Sequence, residues 1–125
     1  DQMLKKFTQK EISFNFTPHL TPMFRGILST IYIDLENNVS QSKVIKVLKD
    51  FYKKEDFVKI LKADRLIGTN DVINSNNCFI SVCKSKYKNK IIILSAIDNL
   101  IKGGAGQAVQ NLNIKFNFPI KTALS

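Results

Sequence analysis

The sequence predicts a single α+β domain, residues 1–125, in which an antiparallel or mixed sheet carries helices on one face. Three patterns favour this architecture. Residues 27–35 alternate in polarity as a strand does. Residues 79–84 and 90–96 read as two strands joined by a short polar turn, as in a hairpin. Between these regions the apolar residues Val44, Val47, Leu48 and Phe51 follow helical spacing and predict the buried stripe of a helix.

The segment before the first clear strand contains two weaker elements. Residues 2–7 are compatible with a short helix or with the end of one. Residues 12–17 place Ile12, Phe14 and Phe16 on alternate positions, which predicts a strand. Pro18 and Pro22 then bracket an irregular turn.

The later elements follow from capping and turn signals. Ser40 is a suitable N-cap for a helix over residues 41–54. Residues 57–61 predict a short strand, residues 66–77 a polar loop, and residues 98–106 a glycine-rich turn. Residues 105–113 contain good helix formers and precede Pro119. Short connections between neighbouring strands favour an antiparallel or mixed sheet.

Composition excludes several classes of protein. Hydrophobic residues make up 44% of the 125 residues and charged residues 23%, as in an ordinary globular domain. The longest strictly apolar run, residues 91–94, is far shorter than the roughly 20 residues of a membrane span. No signal-peptide pattern is visible, so we expect a cytoplasmic protein that does not bind a membrane.

The net charge of +9 raises the question of nucleic-acid binding. Only two of the 19 basic residues are arginines, Arg25 and Arg65, although arginine is the usual residue for forked recognition of phosphates and bases. The lysines are dispersed rather than clustered. We therefore expect no nucleic-acid partner, while a positive field can still attract an anionic substrate or cofactor.

The two cysteines point to reduced thiols. Cys78 and Cys83 are five residues apart in a strand-like stretch, and this odd spacing places them on opposite faces, so a disulfide between them is not expected. The chain has one histidine, which argues against a zinc site. We predict no metal.

The first segment whose residues suit binding or catalysis spans residues 16–27, Phe-Thr-Pro-His-Leu-Thr-Pro-Met-Phe-Arg-Gly-Ile. It places His19 and Arg25 in a turn that contains two rigid prolines and ends at a flexible glycine. An arginine there can clamp a carboxylate or a phosphate through two parallel hydrogen bonds. The alternative is that His19 is a satisfied turn residue and Arg25 the partner of a surface ion pair. Spacing alone favours this alternative.

A second segment spans residues 96–110, where a predicted strand leads through glycines into a helix start. Free backbone N–H groups at such a start attract anions. The pattern is not a dinucleotide fingerprint, because Val109 stands where the third glycine belongs, and it is not a phosphate-binding P-loop, because Lys102 precedes the glycines. Taken alone, the segment favours an ordinary helix-start turn.

Together the two segments resemble the N-acetyl-gamma-glutamyl-phosphate reductase family. The resemblance rests on Phe-Thr-Pro-His-Leu-x-Pro-Met-x-Arg-Gly-Ile at 16–27, Ala-Ile-Asp-Asn-Leu-x-Lys-Gly at 96–103 and Ala-Gly-Gln-Ala-Val-Gln-Asn at 105–111, and it runs from about residue 10 to residue 118. It implies the C-terminal domain fold of glyceraldehyde-3-phosphate dehydrogenase-like enzymes, beside a Rossmann NADP domain that this chain lacks. It also implies the NADPH-dependent reduction of a small-molecule acyl phosphate in arginine biosynthesis.

The resemblance assigns residues only in part. It implies substrate binding by His19 and Arg25, and an approach to NADP by a second group at the glycine-rich turn: Asn99, Lys102, Gly103, Gly104, Gly106 and Gln107. Gly104 departs from the family, where alanine is more usual. No catalytic residue is carried over, because the family's nucleophilic cysteine lies outside this stretch and neither Cys78 nor Cys83 matches its motif. We therefore expect an inactive piece of an oxidoreductase that forms a homo-oligomer. The alternative is a non-catalytic dimerisation or binding module.

Overall fold

The computed structural model describes residues 6–9 and 12–125 and centres on a mixed sheet. Its four strands are β1 (Ile27–Asp34), β2 (Val58–Ile60), β3 (Cys78–Lys84) and β4 (Lys90–Ile97). They lie in the order β1-β4-β3-β2. Both β1 and β3 pair with β4 in antiparallel orientation, whereas β2 runs parallel to β3. The predicted fold class, a mixed sheet with helices, is confirmed.

The two α-helices lie near their predicted positions, and two short helical turns form within the predicted loop and the predicted glycine-rich turn. They are α1 (Gln41–Phe51), a 3₁₀ turn (Thr69–Asp71), a π-helical turn (Ile101–Ala105) and α2 (Gly106–Lys115). Ser40 is the N-cap of α1, as predicted, because its hydroxyl accepts a hydrogen bond from the Lys43 N–H at 3.2 Å. Helix α1 ends at Phe51, earlier than the predicted residue 54, and the chain continues there as a turn.

The buried side of α1 differs from the predicted stripe. Val47 and Phe51 are 59% and 77% exposed, so half of the predicted stripe faces outward. The first residue of the helix explains the difference. The Gln41 amide donates a hydrogen bond to the Val82 carbonyl of β3 at 2.8 Å, which fixes the rotation of the helix on the sheet. The partly buried face consists of Gln41, Val44, Ile45, Leu48 and Tyr52.

The predicted strand over residues 12–17 is wrong. These residues are described, and among all described residues they pair with no strand. A strand needs a neighbour to complete its backbone hydrogen bonds. Without one, Phe14 and Phe16 remain 46% and 80% exposed. The helix predicted for residues 2–7 lies mostly outside the described residues.

The loop predicted for residues 66–77 supplies part of the core. Its Ile67 and Val72 are almost wholly buried and pack with Ala96 of β4. The register places Phe79 of β3 opposite Ala96, on the same face of the sheet. Leu61 and Leu94 complete this cluster. The loop is therefore held against the sheet, directly beside the end of β4 where the second sequence segment begins.

Candidate functional site

The two sequence segments meet at Arg25 and Asp98. The Nε atom of Arg25 lies 3.0 Å from Oδ1 and 2.9 Å from Oδ2 of Asp98, across 73 positions of sequence. The Asp98 side chain is fully buried, and that of Arg25 is 18% exposed. An ion pair this shielded from water is stronger than one on the surface. The start of β1 and the end of β4 are therefore joined by a charged contact.

Three backbone N–H groups complete the surroundings of Asp98. Leu100 and Ile101 donate to its Oδ1 at 2.8 and 3.0 Å, which closes the turn that follows β4. Asn74, from the loop packed against the sheet, donates to Oδ2 at 2.8 Å. The carboxylate thus connects three separate segments, and each of its oxygens accepts more than one hydrogen bond.

These contacts set the charge of the site. Burial raises the pKa of Asp98, but the hydrogen bond from Arg25 and those from the backbone N–H groups of Asn74, Ile101 and Leu100 outweigh it. The pKa falls from 3.8 to about 2. Asp98 is therefore ionised at neutral pH, and its charge is balanced by the guanidinium.

A second contact joins the same two segments at Gly26 and Asn99. The Gly26 N–H donates to the Asn99 side-chain oxygen at 2.8 Å. Gly26 has a positive φ of 107°, which side chains rarely tolerate, and a Cβ there would lie 2.5 Å from the Cβ of Thr69. Glycine is thus required twice at this position, for the backbone conformation and for the close approach of the 3₁₀ turn.

His19 lies apart from these contacts. Its ring is exposed, and its Nδ1 atom lies 3.1 Å from the carbonyl oxygen of Thr17. Within residues 6–9 and 12–125, no hydrogen bond or ion pair joins it to Arg25. The structure thus places the predicted pair His19 and Arg25 on one segment, and brings only Arg25 into the buried network.

The glycine-rich turn is exposed at its two central glycines, although the Gly103 N–H donates to the Asp98 carbonyl oxygen at 2.9 Å. Gly103 and Gly104 are exposed, and a Cβ at Gly104 would have one neighbour within 4 Å, the Asn99 carbonyl oxygen at 3.2 Å. The backbone departs from helical geometry at Gly104, with φ −142° and ψ −117°. Gln107, in the first turn of α2, is exposed as well. These three residues form an accessible edge.

Of the other three residues predicted at this turn, Asn99 binds Gly26, and Lys102 and Gly106 face inward. The Lys102 amine donates to the Gln110 side-chain oxygen at 2.7 Å and lies 5.6 Å from the centre of the Phe57 ring. Gly106 is buried, and a Cβ there would lie 2.6 Å from the Asn76 Oδ1 atom. Lys102 and Gly106 therefore support the turn from behind.

Sequence reasoning missed two residues that organise the site. Asp98 was visible as an acidic residue directly after a strand and before a turn, the position where a carboxylate caps free N–H groups. Its pairing with Arg25 had no local signal. Asn76, within the predicted polar loop, is fully buried and donates to Gln110 at 2.9 Å.

Comparison with known proteins identifies the family. Residues 1–99 match the family described as semialdehyde dehydrogenase, dimerisation domain. This match covers well over half of the chain. The chain belongs to that family. The semialdehyde dehydrogenase dimerisation domain accounts for both sequence segments up to Asn99, and α2 lies beyond the matched residues.

Curated relatives are similar over nearly the whole chain. The N-acetyl-gamma-glutamyl-phosphate reductase of Desulforamulus reducens is 49% identical over 124 residues, which is 99% of this chain and 36% of that protein. The protein of the same name from Thermoanaerobacter pseudethanolicus is 48% identical with the same coverage. This dimerisation domain thus spans about a third of the length of the relatives that it matches.

A solved structure supports the fold. The aspartate semialdehyde dehydrogenase II of Vibrio cholerae matches with a TM-score of 0.55 and 20% identity, over 75% of this chain and 28% of that one. The arrangement of sheet and helices is thus shared with a larger dehydrogenase. Across residues 6–9 and 12–125, no helix is long and apolar enough to span a membrane. The same residues contain no cluster of three side chains suited to a metal ion.

Proposed function

We propose that this chain is the substrate-binding and subunit-interface part of an N-acetyl-gamma-glutamyl-phosphate reductase. The reaction would be the NADPH-dependent reduction of N-acetyl-glutamyl phosphate to the semialdehyde, in arginine biosynthesis. The names of the relatives support the assignment. The observation that carries it is the contact of Arg25 with Asp98 and of Gly26 with Asn99, because it joins the two segments on which the resemblance rests.

Arg25 would bind the anionic part of the substrate. Its Nε is paired with Asp98, which leaves the two terminal amino groups to donate to a carboxylate or phosphate. The partial exposure of the side chain gives a substrate access. Holding one substrate anion fixes the distance from its reacting carbonyl to the nucleophile, which is the source of much of an enzyme's rate enhancement.

His19 would be a second substrate contact. Its ring lies on the exposed turn that leads to Arg25, and the Thr17 carbonyl faces Nδ1. A proton on Nδ1 leaves Nε2 as an acceptor, and a doubly protonated ring offers Nε2 as a donor to an anion. Both forms suit a polar substrate.

The exposed glycine-rich turn fits one wall of a nicotinamide dinucleotide site. Gly103, Gly104 and Gln107 would contact NADP, because all three residues are exposed, although the Gly103 N–H already donates to the Asp98 carbonyl oxygen at 2.9 Å. Asn99, Lys102 and Gly106 would hold this wall in shape through their internal contacts. When bound, the cofactor would supply the hydride that reduces the acyl group. The chain's own part is to position substrate and cofactor.

The same domain would form the subunit interface. In the part of the chain that the structure describes, β1 is an edge strand of the sheet and pairs with β4 alone. Leu28 and Tyr32 lie on one face of β1 and are 42% and 73% exposed. Apolar and aromatic side chains on an open strand suit the sheet of a second copy. The match to a dimerisation-domain family supports this assignment.

The thiols agree with a cytoplasmic site of action. Cys78 and Cys83 are both free, as is usual for proteins in a reducing compartment. We place the protein in the cytoplasm on this ground and on that of the proposed pathway.

The test is a chimera. In the Desulforamulus reducens reductase, the 124 residues aligned with this chain are replaced by it. We expect the chimera to reduce N-acetyl-glutamyl phosphate with NADPH, measured as loss of NADPH absorbance. The 125-residue chain alone is the control and should show no turnover above a preparation from empty vector. A folded chimera without activity would contradict the proposal and favour the alternative, a dimerisation or binding module without a catalytic role.

A further inference from the structure

We propose that Asp98 is a positioning residue for substrate binding. Its buried carboxylate holds the Nε side of Arg25, so that the terminal amino groups of the guanidinium face the anionic group of an acyl phosphate substrate. The inference rests on the proposed function, because it takes Arg25 as the residue that binds the substrate. It adds a role for a residue that would not touch the substrate itself.

Arg25 is bound to Asp98 through its Nε atom. A guanidinium has five N–H donors in a fixed planar arrangement. One of them, on Nε, is directed at the two oxygens of Asp98. For the other four, on the two terminal nitrogens, the structure shows no hydrogen-bond acceptor within residues 6–9 and 12–125. The guanidinium is thus oriented through Nε, and its two terminal nitrogens keep the donors that suit a carboxylate or phosphate.

Asp98 is itself anchored by backbone N–H groups. Three backbone N–H groups, those of Asn74, Leu100 and Ile101, bind its two oxygens and prevent the carboxylate from rotating. These donors come from two different segments, so the orientation of Arg25 depends on the tertiary structure rather than on its own turn. A ligand group held in advance loses less entropy when the substrate binds.

Another arginine–aspartate pair shows the contrast. Arg65 and Asp71 are 3.4 Å apart, with side chains 52% and 33% exposed. One backbone N–H, that of Gly68, binds Asp71 at 2.8 Å, but a surface pair of this length orients its arginine only weakly. The pair of Arg25 and Asp98 differs in its shorter distance, in the full burial of the carboxylate and in the three backbone N–H groups that fix it. These differences point to orientation of Arg25 as its role.

The experiment uses the chimeric reductase with Asp98→Asn. This substitution keeps the shape of the side chain and removes its charge. We expect the KM for N-acetyl-glutamyl phosphate to rise about tenfold, the size expected for losing one charge-assisted hydrogen bond. The KM for NADPH should stay unchanged. Asp56→Asn is the control, because Asp56 forms an exposed ion pair with Lys121 at 3.1 Å. It should leave both constants unchanged.

A double-mutant comparison separates positioning from general stability. Arg25→Met should raise the same KM, and Asp98→Asn should add nothing in that background. Arg25→Lys provides a second test if Asp98→Asn does not fold, because one ammonium group cannot bind Asp98 and also clamp a substrate anion as a fork. It too should raise the substrate KM about tenfold, the size of one charge-assisted hydrogen bond.

The outcomes distinguish the two proposals. An inactive unaltered chimera counts against the proposed function. An active chimera in which Arg25 substitutions raise the substrate KM, while folded Asp98→Asn leaves it unchanged, overturns the positioning role alone. A fall in kcat without a change in the substrate KM would overturn the role in substrate binding, because it would show that Asp98 contributes only after the substrate has bound. An unchanged KM in Arg25→Lys overturns the forked clamp, and with it the need for positioning.

Discussion

Asn76 and Gly106 are fitted to each other: the buried Oδ1 atom of Asn76 occupies the space that a side chain on residue 106 would need. The Asn76 amide and the Lys102 amine both donate to the side-chain oxygen of Gln110. The loop packed on the sheet, the glycine-rich turn and α2 are therefore locked together by one buried asparagine. The edge that we assign to the cofactor depends on this packing.

Gly106→Ala should destabilise the chain. The new Cβ would lie 2.6 Å from both Asn76 Oδ1 and the Ile101 Cγ2 atom. Overpacking of this kind costs about 1–3 kcal/mol, which we expect to outweigh the gain of about 1 kcal/mol from replacing glycine in a helix. Urea unfolding measures the difference. Gly68→Ala is the matched control, because a Cβ at residue 68 would meet no atom within 4 Å, and it should change stability by less than about 0.5 kcal/mol.

Gly26→Ala should destabilise the chain for two separable reasons, the positive φ of 107° and the clash with Thr69. We expect a total loss of about 2–4 kcal/mol, from strain of about 1–2 kcal/mol and overpacking of a similar size. The double variant Gly26→Ala with Thr69→Gly removes the clash alone. Relative to Thr69→Gly, the added alanine should cost only the strain. Equal costs in both backgrounds would show that Thr69 does not limit this position.

The ionisation of Asp98 should make the free energy of unfolding depend on pH. The pKa of this carboxyl is lowered on folding from 3.8 to about 2, so the folded state prefers the ionised form. Its contribution is complete above pH 3.8 and is lost as the pH falls through about 2. Urea midpoints between about pH 7 and about pH 2 should therefore fall less steeply for Asp98→Asn, which is the less stable protein at neutral pH. Parallel curves would contradict this.

Tyr32→Asp should weaken self-association of the chain. We expect the unaltered chain to be larger than a monomer at high micromolar concentration in sedimentation velocity, through the exposed face of β1. A charge in place of the 73% exposed Tyr32 would have to be desolvated at that interface. Tyr87→Asp is the control, because Tyr87 is 57% exposed but lies in the turn between β3 and β4 and not on β1. A strictly monomeric unaltered chain would contradict the proposed interface.

Periodicity and capping located most of the secondary structure, because these signals are local. The alternation of polar and apolar residues up to Asp34 predicted β1, and Ser40 predicted the start of α1. The same reasoning failed where a distant group decided the outcome. Residues 12–17 alternate as a strand but have no neighbour among the described residues, and the Gln41 contact with β3 turned α1 away from its predicted face. Neither the missing strand neighbour nor the Gln41 contact is visible in a local sequence pattern.

The amino-acid order by itself determined the α+β class, the N-cap of α1, the hairpin and the two segments that resemble a reductase family, because these signals lie within short stretches of sequence. Only the tertiary structure decided that Arg25 meets Asp98, that Gly26 meets Asn99 and that Gly106 makes room for Asn76. Those pairs are separated by 30 to 73 positions, so their contacts exist only once the sheet has formed and the loop has packed against it.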